Sequence, residues 1–167
     1  MCTPVITTNP PISKFDEPVG IRIDGLIPYQ SVTLVFKAEH RQRIFGSFAY
    51  YQADAKGTVC LRTHVAKGGS YTGIDAMGLF SFMKPLPGQR KGIRYSPTPS
   101  HVPCLFHLYV FDSHSEPWSE AKPVFECYAP TNALAKTEIQ RILVDLKETN
   151  RVPLENQPIE GVLFYPN

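Results

Sequence analysis

Neither sign of charge dominates this 167-residue sequence: seventeen Lys and Arg face fifteen Asp and Glu, a formal net charge of +2. Proteins that hold nucleic acid neutralise many phosphates with a clear basic excess, so nucleic acid is not an expected partner. Long apolar runs are also missing. Stretches such as Leu79 to Met83 and Leu105 to Phe111 fall far below the roughly 20 residues of a bilayer-spanning helix, and no membrane span is expected. Met1 to Ser13 holds no basic start followed by an apolar stretch, which does not fit a secretory signal. The four cysteines, Cys2, Cys60, Cys104 and Cys127, form no Cys-x-x-Cys pair, and five scattered histidines lack the clustering that zinc requires. These absences predict a reduced, intracellular protein without a cofactor.

What the sequence has in quantity is chain breakers. Sixteen prolines and eleven glycines leave little room for long helices, while 43% hydrophobic residues suffice for a folded core. Strand signals recur between the breakers. Val19, Ile21 and Ile23 alternate with polar or small residues, as do Val32, Leu34, Phe36 and Ala38, the two-residue period of a half-buried strand. Ile44 to Tyr51 and Thr58 to Leu61 flank a turn at Ala53 to Gly57. Cys104 to Phe111 is almost wholly apolar, which predicts a strand covered on both faces, and Val124 to Tyr128 offers another. Ala133 to Lys147 fits helical and strand spacing alike, and propensity alone favours helix. Val162 to Tyr165 reads as a strand. The six strand signals up to Tyr128, at turn-bounded spacing, predict a β-sandwich.

The segment Lys67 to Phe80 breaks this pattern. Its glycines, Gly68, Gly69, Gly73 and Gly78, suit neither strand nor stable helix, so a shaped loop with a short helical turn is expected. Ser70 fails as an elbow nucleophile, because Thr72 stands where the second glycine of Gly-x-Ser-x-Gly belongs. Cys104 and His107 lie three apart on a strand and should point to opposite faces. Asp16/Glu17 and Glu116/Glu120 occupy turn-like segments and read as solvated charge rather than as a paired acid and base. Lys84, Arg90, Lys91 and Arg94 could meet a phosphate, but they flank Pro85, Pro87 and Gly88 without a P-loop pattern, and a solvated loop is the ordinary reading.

The order of these pieces carries more than any single residue. Phe15-Asp16-Glu17-Pro18 leads into Ile21-Arg22-Ile23-Asp24-Gly25-Leu26, then Tyr51 to Val59, then Gly69-Ser70-Tyr71-Thr72-Gly73-Ile74-Asp75-Ala76-Met77-Gly78-Leu79. This series resembles the amino-terminal region of the acyl-CoA thioesterase and bile acid-CoA:amino acid N-acyltransferase family, over roughly residues 15 to 128. The resemblance implies an all-β fold, an immunoglobulin-like antiparallel β-sandwich with a short helical turn in a glycine-rich loop. It implies a tail over 1–14, a sandwich domain over 15–130, and a linker with first strands over 131–167. Those strands would lead toward an α/β-hydrolase domain that carries the nucleophile. It also turns Ile139 to Leu146 from helix to extended chain. On this reading the domain is non-catalytic. Its partner is the hydrolase domain of the same full-length chain, and acyl-CoA is bound only in that context. Gly69, Ser70, Tyr71, Gly73, Met77, Gly78 and Leu79 form the expected interdomain loop. The alternative is a stand-alone β-sandwich that binds another protein through a sheet edge or apolar surface.

Overall fold

The computed structural model describes residues 3–90, 92–96, 102–118, 130–143, 149–153 and 162–166. Strands run in the order β1 Val5–Asn9, β2 Ile12–Lys14, β3 Gly20–Asp24, β4 Ser31–His40, β5 Arg43–Gln52, β6 Val59–Cys60 and β7 Gly68–Gly69. Helix α1, Gly78–Ser81, follows, then β8 Lys84–Pro85, β9 Cys104–Asp112, a 3-10 turn at Pro130–Asn132, β10 Ala135–Ile142, β11 Thr149–Pro153 and β12 Val162–Pro166. A three-stranded sheet has the order β1-β3-β6. A larger one has the order β2-β10-β9-β4-β5-β7, with β8 also on β5. Strands β11 and β12 pair with each other.

The apolar alternation explains the two layers. Val19, Ile21, Ile23 and Val59 from the small sheet share one buried cluster with Val32, Leu34, Phe36, Phe106, Leu108 and Ile139 from the large one. Phe36 and Phe106 stack at its centre, with ring centroids 5.4 Å apart. The chain is therefore an all-β protein whose two sheets enclose a common core. Strand β9 is apolar almost throughout because its outer face is covered as well, and so is that of β4 at Val35. Val35 and Phe111 are buried there against Phe48, Tyr109 and Trp118. Strands β4 and β5 meet across Arg41 and Gln42, both with positive φ (49° and 61°), the backbone that a two-residue hairpin turn demands.

Residues 1–14, expected as a tail, contribute β1, which pairs with β3, and β2, which runs parallel to β10. Arg141 pins this segment. It is 3% exposed, and its Nη2 donates to the carbonyls of Lys14, Phe15 and Glu17 at 2.7, 2.8 and 2.7 Å. Its guanidinium also lies over the Phe15 and Phe80 rings. Burial lowers its proton affinity, opposed by Asp16 and Glu17. The stretch that was ambiguous between helix and strand is extended over Ala135–Ile142 and pairs antiparallel with β9; Ile139, fully buried in the core, shows tertiary packing overriding helical propensity. The strand expected at Val124 to Tyr128 lies outside the described residues.

Candidate functional site: the glycine-rich loop

The loop leaves the large sheet through β7, whose Gly68 and Gly69 pair with Tyr50 and Ala49 of β5. At Gly69 the backbone has φ +105°, and a Cβ there would collide with the Phe48 carbonyl, so only glycine fits. Ser70 then extends the ladder by other means. Its N–H donates to the Phe48 carbonyl at 2.7 Å, and its Oγ accepts from the Phe48 N–H at 3.0 Å. The hydroxyl serves as a substitute backbone acceptor, a common use of serine.

From there the chain dives inward. Tyr71 is 6% exposed and Tyr51 fully buried, with their hydroxyls 2.8 Å apart. Burial pushes both phenols above their ordinary range. Gly78 faces the Tyr71 ring so closely that an added Cβ would overlap it. A bridge at Ala66 and Gly73 closes the loop, with N–H to carbonyl distances of 2.8 and 3.0 Å in the two directions. Asp75 accepts from the Met77 N–H at 2.9 Å and so sets the start of α1. Met77 packs on the core, and its sulfur accepts the Val19 N–H at 3.2 Å. Leu79 is fully buried, and its carbonyl accepts the Ser47 hydroxyl.

The structure thus brings together all seven residues singled out in the sequence, but it turns most of them toward the sandwich itself. What the loop offers outward is different: Ile74 at 59% exposure and Phe82 at 41%, the latter stacked on Tyr71 with centroids 5.5 Å apart. Neither stood out by sequence, because an apolar residue beside a glycine carries no mark of the face it takes.

The other candidates stay apart. Cys104 is buried, and burial raises its thiol pKa, which disfavours the thiolate. His107 sits among the half-buried positions of the same strand, 4.0 Å from Glu138. The two point to opposite faces, as the spacing requires. Asp16, Glu17 and Glu116 are exposed, and Glu120 lies outside the described residues. Among the described residues no group of three His, Cys, Asp or Glu could hold a metal ion, and no helix is long and apolar enough to cross a membrane.

Comparison with known proteins reaches the same family as the motif order. Residues 16–156 match the family described as the acyl-CoA thioester hydrolase/BAAT N-terminal region. Acyl-coenzyme A thioesterase 1 of Rattus norvegicus is 30% identical over 154 residues, covering 90% of this chain and 36% of that protein. Peroxisomal succinyl-coenzyme A thioesterase of Mus musculus is 33% identical, covering 92% and 33%. Acyl-coenzyme A amino acid N-acyltransferase 2 of Rattus norvegicus is 40% identical over 81 residues, covering 48% and 19%. The chain spans about a third of the length of the two thioesterases. With a family match running from Asp16 to Asn156, and thioesterases and an acyltransferase alike among its relatives, this chain belongs to the acyl-CoA thioester hydrolase/BAAT N-terminal family.

Proposed function

We propose that this sandwich is the non-catalytic amino-terminal part of an intracellular acyl-CoA thioesterase or acyl-CoA:amino acid N-acyltransferase. In this reading an α/β-hydrolase domain of the same full-length chain performs attack on the thioester. The sandwich supports it, the outward residues Ile74 and Phe82 meeting that domain beside the acyl-CoA cleft. The observation that carries the reading is the use of Ser70: its hydroxyl is bonded to the Phe48 N–H, with no base among its bonded partners. An acyl-transfer nucleophile needs an adjacent base and an oxyanion site within reach of one carbonyl. Cys104, buried with a raised pKa, is no better prepared.

The test is a burst assay. Incubating the 167-residue chain with a long-chain acyl-CoA and a thiol reagent should release free thiol at the spontaneous rate. A burst of coenzyme A equal to the protein concentration would overturn the proposal. In a full-length form, Ile74→Asp with Phe82→Asp should lower turnover and loosen the packing between domains. Unchanged values would remove the supporting role from this face.

A further inference from the structure

No Asp or Glu occurs between Asp75 and Asp112, and none between Glu39 and Asp54. The fold brings these two acid-free stretches together. Strand β8 pairs Lys84 with Gly46 and Pro85 with Phe45. Just beyond it, the side chain of Gln89 takes both backbone groups of Ile44: the Ile44 N–H donates to Oε1 at 3.1 Å, and Nε2 donates to the Ile44 carbonyl at 2.6 Å. At the far end of the segment, Tyr95 lies against His40, Phe45 and Phe106, with centroid distances of 5.9, 5.3 and 5.5 Å. The segment is therefore clamped at both ends rather than loosely draped.

Between the clamps lies an open cavity of about 1150 Å³, with Lys84 and Arg94 among its walls. A smaller hollow of about 130 Å³ adjoins it, lined by His40, Arg41 and Arg43 from the β4–β5 turn and again by Arg94. Arg94 is common to both. Four cations, Lys84, Arg94, Arg41 and Arg43, therefore line these adjoining hollows, with no acid among the described residues of either lining. None takes part in the ion pairs found among the described residues. Like charges at close range repel, and the sheet pairing here runs through backbone and Gln89, so folding does not require them. His40 adds an independent sign: its Nε2 is buried without a hydrogen-bond partner, whereas buried polar atoms are ordinarily satisfied.

We propose that this cleft binds the phosphate groups of a small molecule, a phosphomonoester or diphosphate of the kind carried by nucleotides and by coenzyme A. Guanidinium groups suit this role because their planar donors pair two at a time with phosphate oxygens. Arg94 between the two hollows can serve phosphates in either, and Arg41, Arg43 and Lys84 supply the flanking charge. The Tyr95 and Phe45 side of the cleft is apolar, as expected where a ligand's less charged portion lies. The inference depends on the placement of charge and not on the supporting role above, so either can fail alone.

Titration calorimetry on the full 167-residue chain at low salt decides it, using coenzyme A, 3′,5′-ADP, pyrophosphate, pantetheine and sulfate. Saturable binding of coenzyme A and 3′,5′-ADP is expected, weakening as salt is added, with none for pantetheine, which lacks phosphate. Coenzyme A binding more tightly than 3′,5′-ADP would identify the coenzyme as the source of the phosphates. Equal affinity would identify the nucleotide end as sufficient. Arg94→Ala should weaken binding at least tenfold, and Lys84→Gln provides a second reading should the arginine variant not fold. The proposal is overturned by the absence of saturable binding, by pantetheine binding as well as coenzyme A, by sulfate matching 3′,5′-ADP, or by folded variants that bind unchanged.

Discussion

Two consecutive loops, residues 67–82 and 83–96, are both broken by glycine or proline, and they spend their side chains in opposite ways. The first turns inward: Tyr71 and Leu79 enter the core, the Ser70 hydroxyl accepts from the Phe48 backbone, and the Leu79 carbonyl accepts the Ser47 hydroxyl of β5. The second turns its chemistry outward, with Lys84 and Arg94 exposed around a cavity and, among its described residues, only Leu86 buried. Glycine density marks where the backbone must bend or approach closely. It does not mark where chemistry is available, and here the denser cluster is the structural one.

The sharpest way to break this contrast is within the first loop. Leu79→Asp places a carboxylate at a fully buried site, where an unpaired charge costs several kcal/mol. That is a large share of the roughly 5–15 kcal/mol that holds a typical domain folded. The variant should be unfolded or nearly so in urea titration. Ile74→Asp, five residues earlier and 59% exposed, should shift stability by no more than about 0.5 kcal/mol. Similar losses for both would show that the loop does not divide into an inner and an outer face.

The strands were readable because each carries its own period. Val19-Ile21-Ile23 alternates against a single core, and Cys104 to Phe111 is apolar throughout because β9 lies between the main core and the Trp118 side. The amino-terminal strands were not readable. Val5, Thr7 and Asn9 are exposed, with Ile6 and Thr8 only half-buried, so hydrophobic patterning had little to report and hydrogen bonding to β3 decides the matter. The role of Arg141 was equally hidden, since its partners are backbone carbonyls at Lys14, Phe15 and Glu17, which any residue type supplies. In the glycine loop the motif marks the segment Gly69 to Leu79 but not the faces its side chains take. Which way each faces depends on the Tyr51–Tyr71 contact, a pairing between distant positions that local spacing does not encode. The basic cleft depends likewise on the register that sets Lys84 beside Gly46.

A moderate effect is expected at that tyrosine pair. Tyr71→Phe leaves the buried Tyr51 hydroxyl without its partner, a loss of about 1–3 kcal/mol, whereas replacing both tyrosines by Phe should recover much of it. The pair also links stability to alkaline pH. Burial raises both phenols above the ordinary value of 10.0, so the folded state holds these protons more tightly than the unfolded state does. The stabilisation is then fully present below the unfolded value and is lost as pH rises above it. Urea midpoints should hold level through neutral pH and fall above about pH 10, and less steeply in the double variant. An equal decline in both proteins would separate the tyrosines from the alkaline transition.

The smallest stability change belongs to the second loop. Arg94 is exposed and forms none of the ion pairs among the described residues, so Arg94→Ala removes repulsion toward Arg41 and Arg43 more than it removes attraction. Surface substitutions of this kind stay within about 0.5 kcal/mol, and relief of like charge should make the sign neutral or slightly stabilising at low salt, with the difference fading as salt screens it. A urea titration at two ionic strengths reads this directly. Charge retained at no benefit to the fold is what a ligand site requires. A loss above 1 kcal/mol would instead show that Arg94 holds the loop together, and the two loops would no longer differ in kind.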